Sequence, residues 1–155
     1  MGAWALASAG SALDKADSYA SAMLDSANLL PAPRGRQKRA TLIYRCNGAG
    51  SFSIYITWPV SLGKHLDLRV RFKVGDSKID SSYWKNSADE HATFATTDGH
   101  LLERLETLLL QTATDDHAMM VARVEPGNRP PQEAEFDLAG AKAAATAANR
   151  ACGIP

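Results

Sequence analysis

The chain has 155 residues, with 17 Lys and Arg balancing 17 Asp and Glu, so its formal net charge is zero when its 4 histidines are neutral. That length suits one domain able to bury roughly 70% of its unfolded surface without a covalent staple. The even charge argues against a general affinity for nucleic acid or anionic lipid, and the lack of any run of about 18 apolar residues argues against a membrane-spanning helix.

The first ten residues, Met-Gly-Ala-Trp-Ala-Leu-Ala-Ser-Ala-Gly, contain small residues of the kind found at signal cleavage sites. They lack a basic n-region and an apolar run long enough for an h-region. Either the start lies upstream, or the protein is not exported by this route in this form. Ala9, Ala16, Met23 and Leu30 recur at spacing seven, with Leu6, Leu13, Ala20 and Ala27 on a neighbouring stripe. This predicts an Ala/Ser-rich helix over residues 3–30, open to a break at Gly10 and Ser11; a mobile arm is the alternative. A lone helix of this length is marginal in water. The stripe of Ala9, Ala16, Met23 and Leu30 is therefore the candidate partner-binding surface, and deletion of residues 1–30 is expected to leave the remainder folded. Pro31, Pro33 and Gly35 end the helix. Charge is uneven here: residues 1–30 carry net −2, and residues 31–39 carry +4 from Arg34, Arg36, Lys38 and Arg39. Residues 31–39 read as a basic, Pro-rich linker, with a phosphate or lipid headgroup contact as the lesser alternative.

Residues 40–155 read as one β-rich domain. Thr41–Cys46 and Ser51–Trp58 are dense in β-branched and aromatic residues around Asn47-Gly48-Ala49-Gly50, which is a hairpin signal. From Leu66 to Val74, five apolar residues alternate with Asp67, Arg69, Arg71 and Lys73, giving a strand with one dry face. Arg69, Arg71 and Lys73 are expected to face solvent or to pair with acids such as Asp80. Further strands are predicted at 78–84, 91–95, 118–124 and 134–138. A helix capped by Thr97 or Asp98 carries Leu101, Leu102, Leu105, Leu108 and Leu109, and an alanine-dominated helix runs over 140–152.

Candidate chemistry is sparse. Ser87, Asp89 and His91 hold the residue types of a hydrolase triad, but without a Gly-x-Ser-x-Gly elbow their spacing is ordinary turn chemistry. His65, His91, His100 and His117 show no ligand spacing, with His117 beside Asp115 and Asp116 read as a loop. No Gly-rich phosphate loop follows a strand. Neither a metal nor a cofactor is expected. Trp58 and Trp84 fit core positions better than ligand platforms. Cys46 and Cys152 lie outside any Cys-x-x-Cys spacing. They suit either one disulfide in an oxidising compartment or two buried thiols in a cytosolic protein.

The order of motifs carries one resemblance. Leu42-Ile43-Tyr44-Arg45-Cys46 precedes Ile56-Thr57-Trp58 and Val70-Arg71, then Trp84-x-x-Ser87-x-Asp89 with Phe94 after it. After the leucine helix come Ala134-x-Phe136-x-Leu138-x-Gly140 and Ala151-Cys152. Across residues 41–153 this resembles the C-terminal half of the type VI secretion-associated proteins called VasI or TagO. The resemblance implies a small β-rich domain outside the cytoplasm, Cys46 bonded to Cys152, no cofactor and no established catalytic role. The expected fold is α+β: a mainly antiparallel, β-sandwich-like sheet domain with two helices, preceded by an N-terminal helix. The expected function is a non-enzymatic accessory or assembly protein of the bacterial envelope, periplasmic or extracellular, that binds another protein. The alternative is a structural component of a phage virion or contractile-injection assembly, and a small hydrolase ranks last. No nucleic-acid partner is expected, a membrane contact is at most weak, and the oligomeric state is open.

Overall fold

A computed structural model of the chain describes residues 3–10, 13, 18–96, 100–111 and 118–153. Its layout follows from strands with one dry face, as in β7 (Asp67–Val74), where Leu68, Val70, Phe72 and Val74 are buried and the charged residues between them are exposed. Leu66, expected at the start of that stripe, lies outside the strand and is 85% exposed. The remaining strands are β1 (Ala5–Ala9), β2 (Tyr19–Asp25), β3 (Leu30–Ala32), β4 (Arg36–Lys38), β5 (Thr41–Asn47), β6 (Phe52–Thr57), β8 (Asp80–Asn86), β9 (Ala92–Phe94), β10 (Met119–Glu125) and β11 (Gln132–Asp137). The two helices are α1 (Leu101–Gln111) and α2 (Ala141–Ala151).

Among the described residues, nine strands form one antiparallel sheet in the order β1-β2-β5-β6-β9-β8-β7-β10-β11, and β3 and β4 form a separate pair. The fold is thus α+β, with a continuous antiparallel sheet and two helices. The sheet curls until its β11 end meets the segment that follows β2. The Ala27 amide donates to the Glu135 carbonyl at 2.7 Å, and the Asn28 side chain bonds the backbone of Glu133 and Glu135. Helix α1 contributes Leu101, Leu102, Leu105 and Leu109 to the core. Helix α2 contributes Ala141, Ala144, Ala145 and Ala148 and lies against β1, β2 and β5. Cys46, in β5, and Cys152, just past α2, are disulfide-bonded with Cα atoms 6.3 Å apart. The bond pins the end of the helix to the sheet.

The N-terminal helix is corrected by the structure. Residues 3–30 supply β1, β2 and the start of β3, and Trp4, Ala20, Ala22, Leu24 and Leu30 belong to the common core. Alanine favours helix intrinsically, but such propensity is a weak prior that packing overrides. Here Ala20, Ala22 and Leu24 alternate inward, β5 pairs with the whole of β2, and short side chains let the alanine face of α2 approach closely. The basic stretch 31–39 is likewise not a loose linker. It forms the β3–β4 pair, and Arg39 Nη1 donates to the carbonyls of Ser26 and Ala27 at 2.7 and 2.8 Å. Arg69, Arg71 and Lys73 are exposed as expected, but Asp80 pairs with Arg104 of α1 at 2.8 Å instead of with them. The proposed cap at Thr97 or Asp98 lies outside the described residues.

Two outcomes follow. Deleting residues 1–30 removes β1, β2 and part of the core, so the 31–155 fragment will lack a cooperative urea transition, whereas the full chain shows one. Replacing Cys46 and Cys152 together by alanine will lower unfolding free energy by about 2–4 kcal/mol, read from urea midpoints under non-reducing conditions.

Candidate functional site

Three segments far apart in sequence converge on one side of the molecule. They are β3 with the 3₁₀ turn Pro33–Gly35, the loop at Val60 and Ser61, and the connection from β10 to β11. Each is held by a local device. Leu30 anchors β3 in the core. Leu62, fully buried, holds the second loop, and its amide donates to the Glu90 carbonyl at 2.7 Å. Arg129 ties the third segment to the second by donating from Nη1 to the Ser61 carbonyl at 3.2 Å.

Between them lies an open groove of about 520 Å³; half of its lining residues are proline (Pro31, Pro33, Pro126, Pro130 and Pro131), and Val60, Ala32, Ser61 and Arg129 complete the walls with Gln132. Proline rings are apolar and fixed in φ, and they carry no backbone N–H. The walls therefore offer a rigid apolar surface with few donors, suited to receiving side chains and unsuited to adding a strand. Gln132 also lines the groove, is 6% exposed, and has an Oε1 that accepts no hydrogen bond among the described residues.

The rim is basic. Arg34, Arg36 and Lys38 are exposed, and none has an ion-pair partner among the described residues. Arg36 sits across from Ala32, itself a wall residue. Arg34 adopts φ 64° and ψ 33°, the left-handed region where glycine or asparagine is usual. A second hollow of about 300 Å³, on the outer face between β7 and β10, is also lined by arginine and lysine. Two of its three cations are paired, with Arg71 3.7 Å from Glu125 and Arg123 within 3.6 and 3.9 Å of Glu125 and Glu133, while Lys73 has no ion-pair partner among the described residues. Exposed pairs of this kind are worth about 0–1 kcal/mol. The groove differs in its five prolines and in the cations that follow its first wall, which have no ion-pair partner among the described residues, whereas two of the three cations of the outer hollow are paired.

The residues proposed from sequence as a binding stripe are not brought together. Ala9 ends β1 and is exposed, Met23 is half-buried in β2, Leu30 is buried in β3, and Ala16 lies outside the described residues. A helical period cannot align them because the segment is extended. Ser87, Asp89 and His91 do meet, but as a turn. The Ser87 hydroxyl donates to Asp89 Oδ1 at 2.5 Å and accepts from the Ala92 amide at 3.0 Å. His91 Nδ1 lies 2.7 Å from the Asp89 backbone carbonyl, so its ring is turned to the main chain and not to the hydroxyl. Trp84 is buried edge-on to Phe72, and buried Trp58 donates from Nε1 to Thr93 Oγ1 at 3.0 Å. Among the described residues no group of three or more His, Cys, Asp or Glu could hold a metal ion; His117 with Asp115 and Asp116 lies outside them.

Comparison with protein-family models, curated proteins and solved structures finds no match. Sequence reasoning passed over the groove because its three segments are separate along the chain. One signal was present: five of the seven prolines fall in residues 31–33 and 126–131.

The turn makes a testable prediction. The Ser87 hydrogen bond is the largest cause, and the His91 amide the next, of an Asp89 pKa below its ordinary 3.8. Ser87→Ala will raise it, visible as an upward-shifted carboxyl carbon titration in the NMR spectrum. Because the folded value lies below the unfolded one, the stability carried by Asp89 is fully present above the unfolded pKa and is lost as pH falls through the folded pKa. The variant will therefore show a weaker dependence of stability on pH in that acidic window.

Proposed function

We propose that this protein is a non-enzymatic accessory or assembly protein of the bacterial envelope that binds a partner protein through the proline-walled groove. The observation that carries the proposal is the joining of a proline-rich cleft to cations, unpaired among the described residues, on the turn and strand that continue its first wall. Its occupant is an extended segment of the partner that places an aromatic or large aliphatic side chain between the prolines and sets Asp or Glu beside Arg34, Arg36 and Lys38. Apolar burial supplies affinity at roughly 25 cal/mol per Å² before association costs, and the rim supplies orientation and rate. A location outside the cytoplasm is supported by the Cys46–Cys152 bond, since such bonds persist in oxidising compartments. Among the described residues, no helix is long and apolar enough to cross a membrane. Association with type VI secretion is supported by the VasI- or TagO-like order of motifs from Leu42 to Cys152. In the alternative role, as a component of a phage virion or contractile-injection assembly, the same groove receives a neighbouring subunit.

A displayed library of random linear peptides tests this. Selection against the intact protein will enrich sequences that combine an aromatic residue with neighbouring acids. Ala32→Trp, which fills the groove, and Arg36→Glu, which inverts its rim, will each weaken the selected peptides by about tenfold or more, given a hot-spot cost above 1 kcal/mol. Melting temperatures should stay close to that of the parent, and raising salt should weaken binding to the parent but not to Arg36→Glu. Selection that yields no such sequences, or peptides indifferent to both substitutions, would overturn the reading.

A further inference from the structure

We infer that the outer edge of β1 is a dimerisation surface, on which a second copy of this chain adds its own β1 antiparallel across a two-fold axis. This rests on a different part of the molecule from the groove. The two ends of the sheet are treated unequally. At the β11 end, Ala27 and Asn28 bond three of the strand's outward backbone groups, the Glu133 carbonyl and the Glu135 amide and carbonyl. At the other end, β1 is bonded on one side only, to β2, and nothing among the described residues pairs with its outer side.

An unpaired strand edge is a template for another chain, and proteins that must stay apart blunt it with lysine, proline, a bulge or a cover. The short β4 shows that protection in Arg36 and Lys38. β1 has none of it. Its sequence is Ala-Leu-Ala-Ser-Ala, all five residues are exposed, and it pairs in unbroken register with β2 from Ala5 to Ala9. Being uncharged, the edge is compatible with itself, as a two-fold interface requires.

Register identifies what the second copy would bring. Leu6 and Ser8 lie across from the buried Ala22 and Ala20, so both point to the side of the sheet that carries α2. On that side a hollow of about 170 Å³ separates β1 from α2, lined by Leu6, Ser8, Ala20, Ala147, Ala148 and Ala151. Antiparallel pairing about Ala7 puts Leu6 of one copy opposite Ser8 of the other. Each Leu6, now 45% exposed, is thereby delivered to the mouth of the other copy's hollow. Backbone pairing and side-chain burial are satisfied by one register. Both β1 edges are consumed and both β11 edges are obstructed at their middle by Ala27 and Asn28, so assembly stops at two.

Analytical ultracentrifugation and cysteine cross-linking of the full chain test this. The parent should sediment as a dimer at micromolar concentration. Leu6→Lys should raise the dimer dissociation constant at least about tenfold, since a charge would be carried into an apolar hollow, while leaving the melting temperature of the dilute monomer unchanged. Ala7→Cys should form an intermolecular disulfide under mild oxidation, because the axis brings the two copies of residue 7 together. Ala5→Cys should not, because residue 5 then faces residue 9. A parent monomeric at high concentration, or a dimer that fails to cross-link through Ala7→Cys, would overturn the inference. If Leu6→Lys proves unfolded, the cysteine pair decides alone.

Discussion

The clamp between Arg39 and the turn after β2 is the constraint on which the rest depends. A guanidinium donating to two adjacent carbonyls fixes the course of Ser26 and Ala27. Ser26, almost fully buried, exchanges further bonds with Ala40 and Asn28. Only with that turn fixed can Ala27 and Asn28 reach β11, and only then does the sheet close at that end. Arg39 is exposed and its bond to Ala27 lies in solvent, so the clamp acts by fixing the path of the turn more than by its own energy. The small clamp thus has a large structural reach. The same closure brings the β3–β4 pair beside the β10–β11 connection and so creates the groove.

A second constraint acts across the molecule, where small side chains set the distance between layers. The inward alanines of β2 face the alanines of α2, and neither surface would tolerate a bulky residue without separating helix from sheet. The close approach supports the disulfide, since two cysteines can bond only when their Cα atoms lie within about 7 Å. It also leaves the narrow hollow beside β1. A single choice of residue size therefore governs core thickness, covalent closure and the character of the exposed edge.

How far the sequence revealed this depends on how strongly each element repeats its pattern. β7 was legible because large apolar residues alternate with full charges, and α1 because its leucines recur at helical spacing. β2 was not. Ala20, Ala22 and Leu24 carry a period of two, but Ala9, Ala16 and Met23 carry a period of seven, and small side chains give neither period much contrast. Its conformation is decided by β5 and α2, which lie far along the chain. Arg39 looked like one more charge in a solvated run because nothing local shows that its partners are main-chain carbonyls. The groove was illegible for the same reason, apart from the clustering of prolines, since convergence of three distant segments leaves no periodic trace.

The Cys46–Cys152 bond spans 106 residues, and the bond from Asn28 to Glu133 of β11 spans 105. A chain that emerges from its N-terminus therefore makes β2, β5 and a reactive thiol long before the helix that covers them exists. During that interval the alanine face of β2 is bare and Cys46 is unpaired. With two cysteines in the sequence, no wrong bond can form within one chain. Among reactions between protein thiols, the competitor joins two chains, and its rate rises with the square of concentration while correct closure is first order. Dilution, slow delivery or a holding chaperone should each favour the native bond, and crowding of newly made chains should favour its misjoined rival.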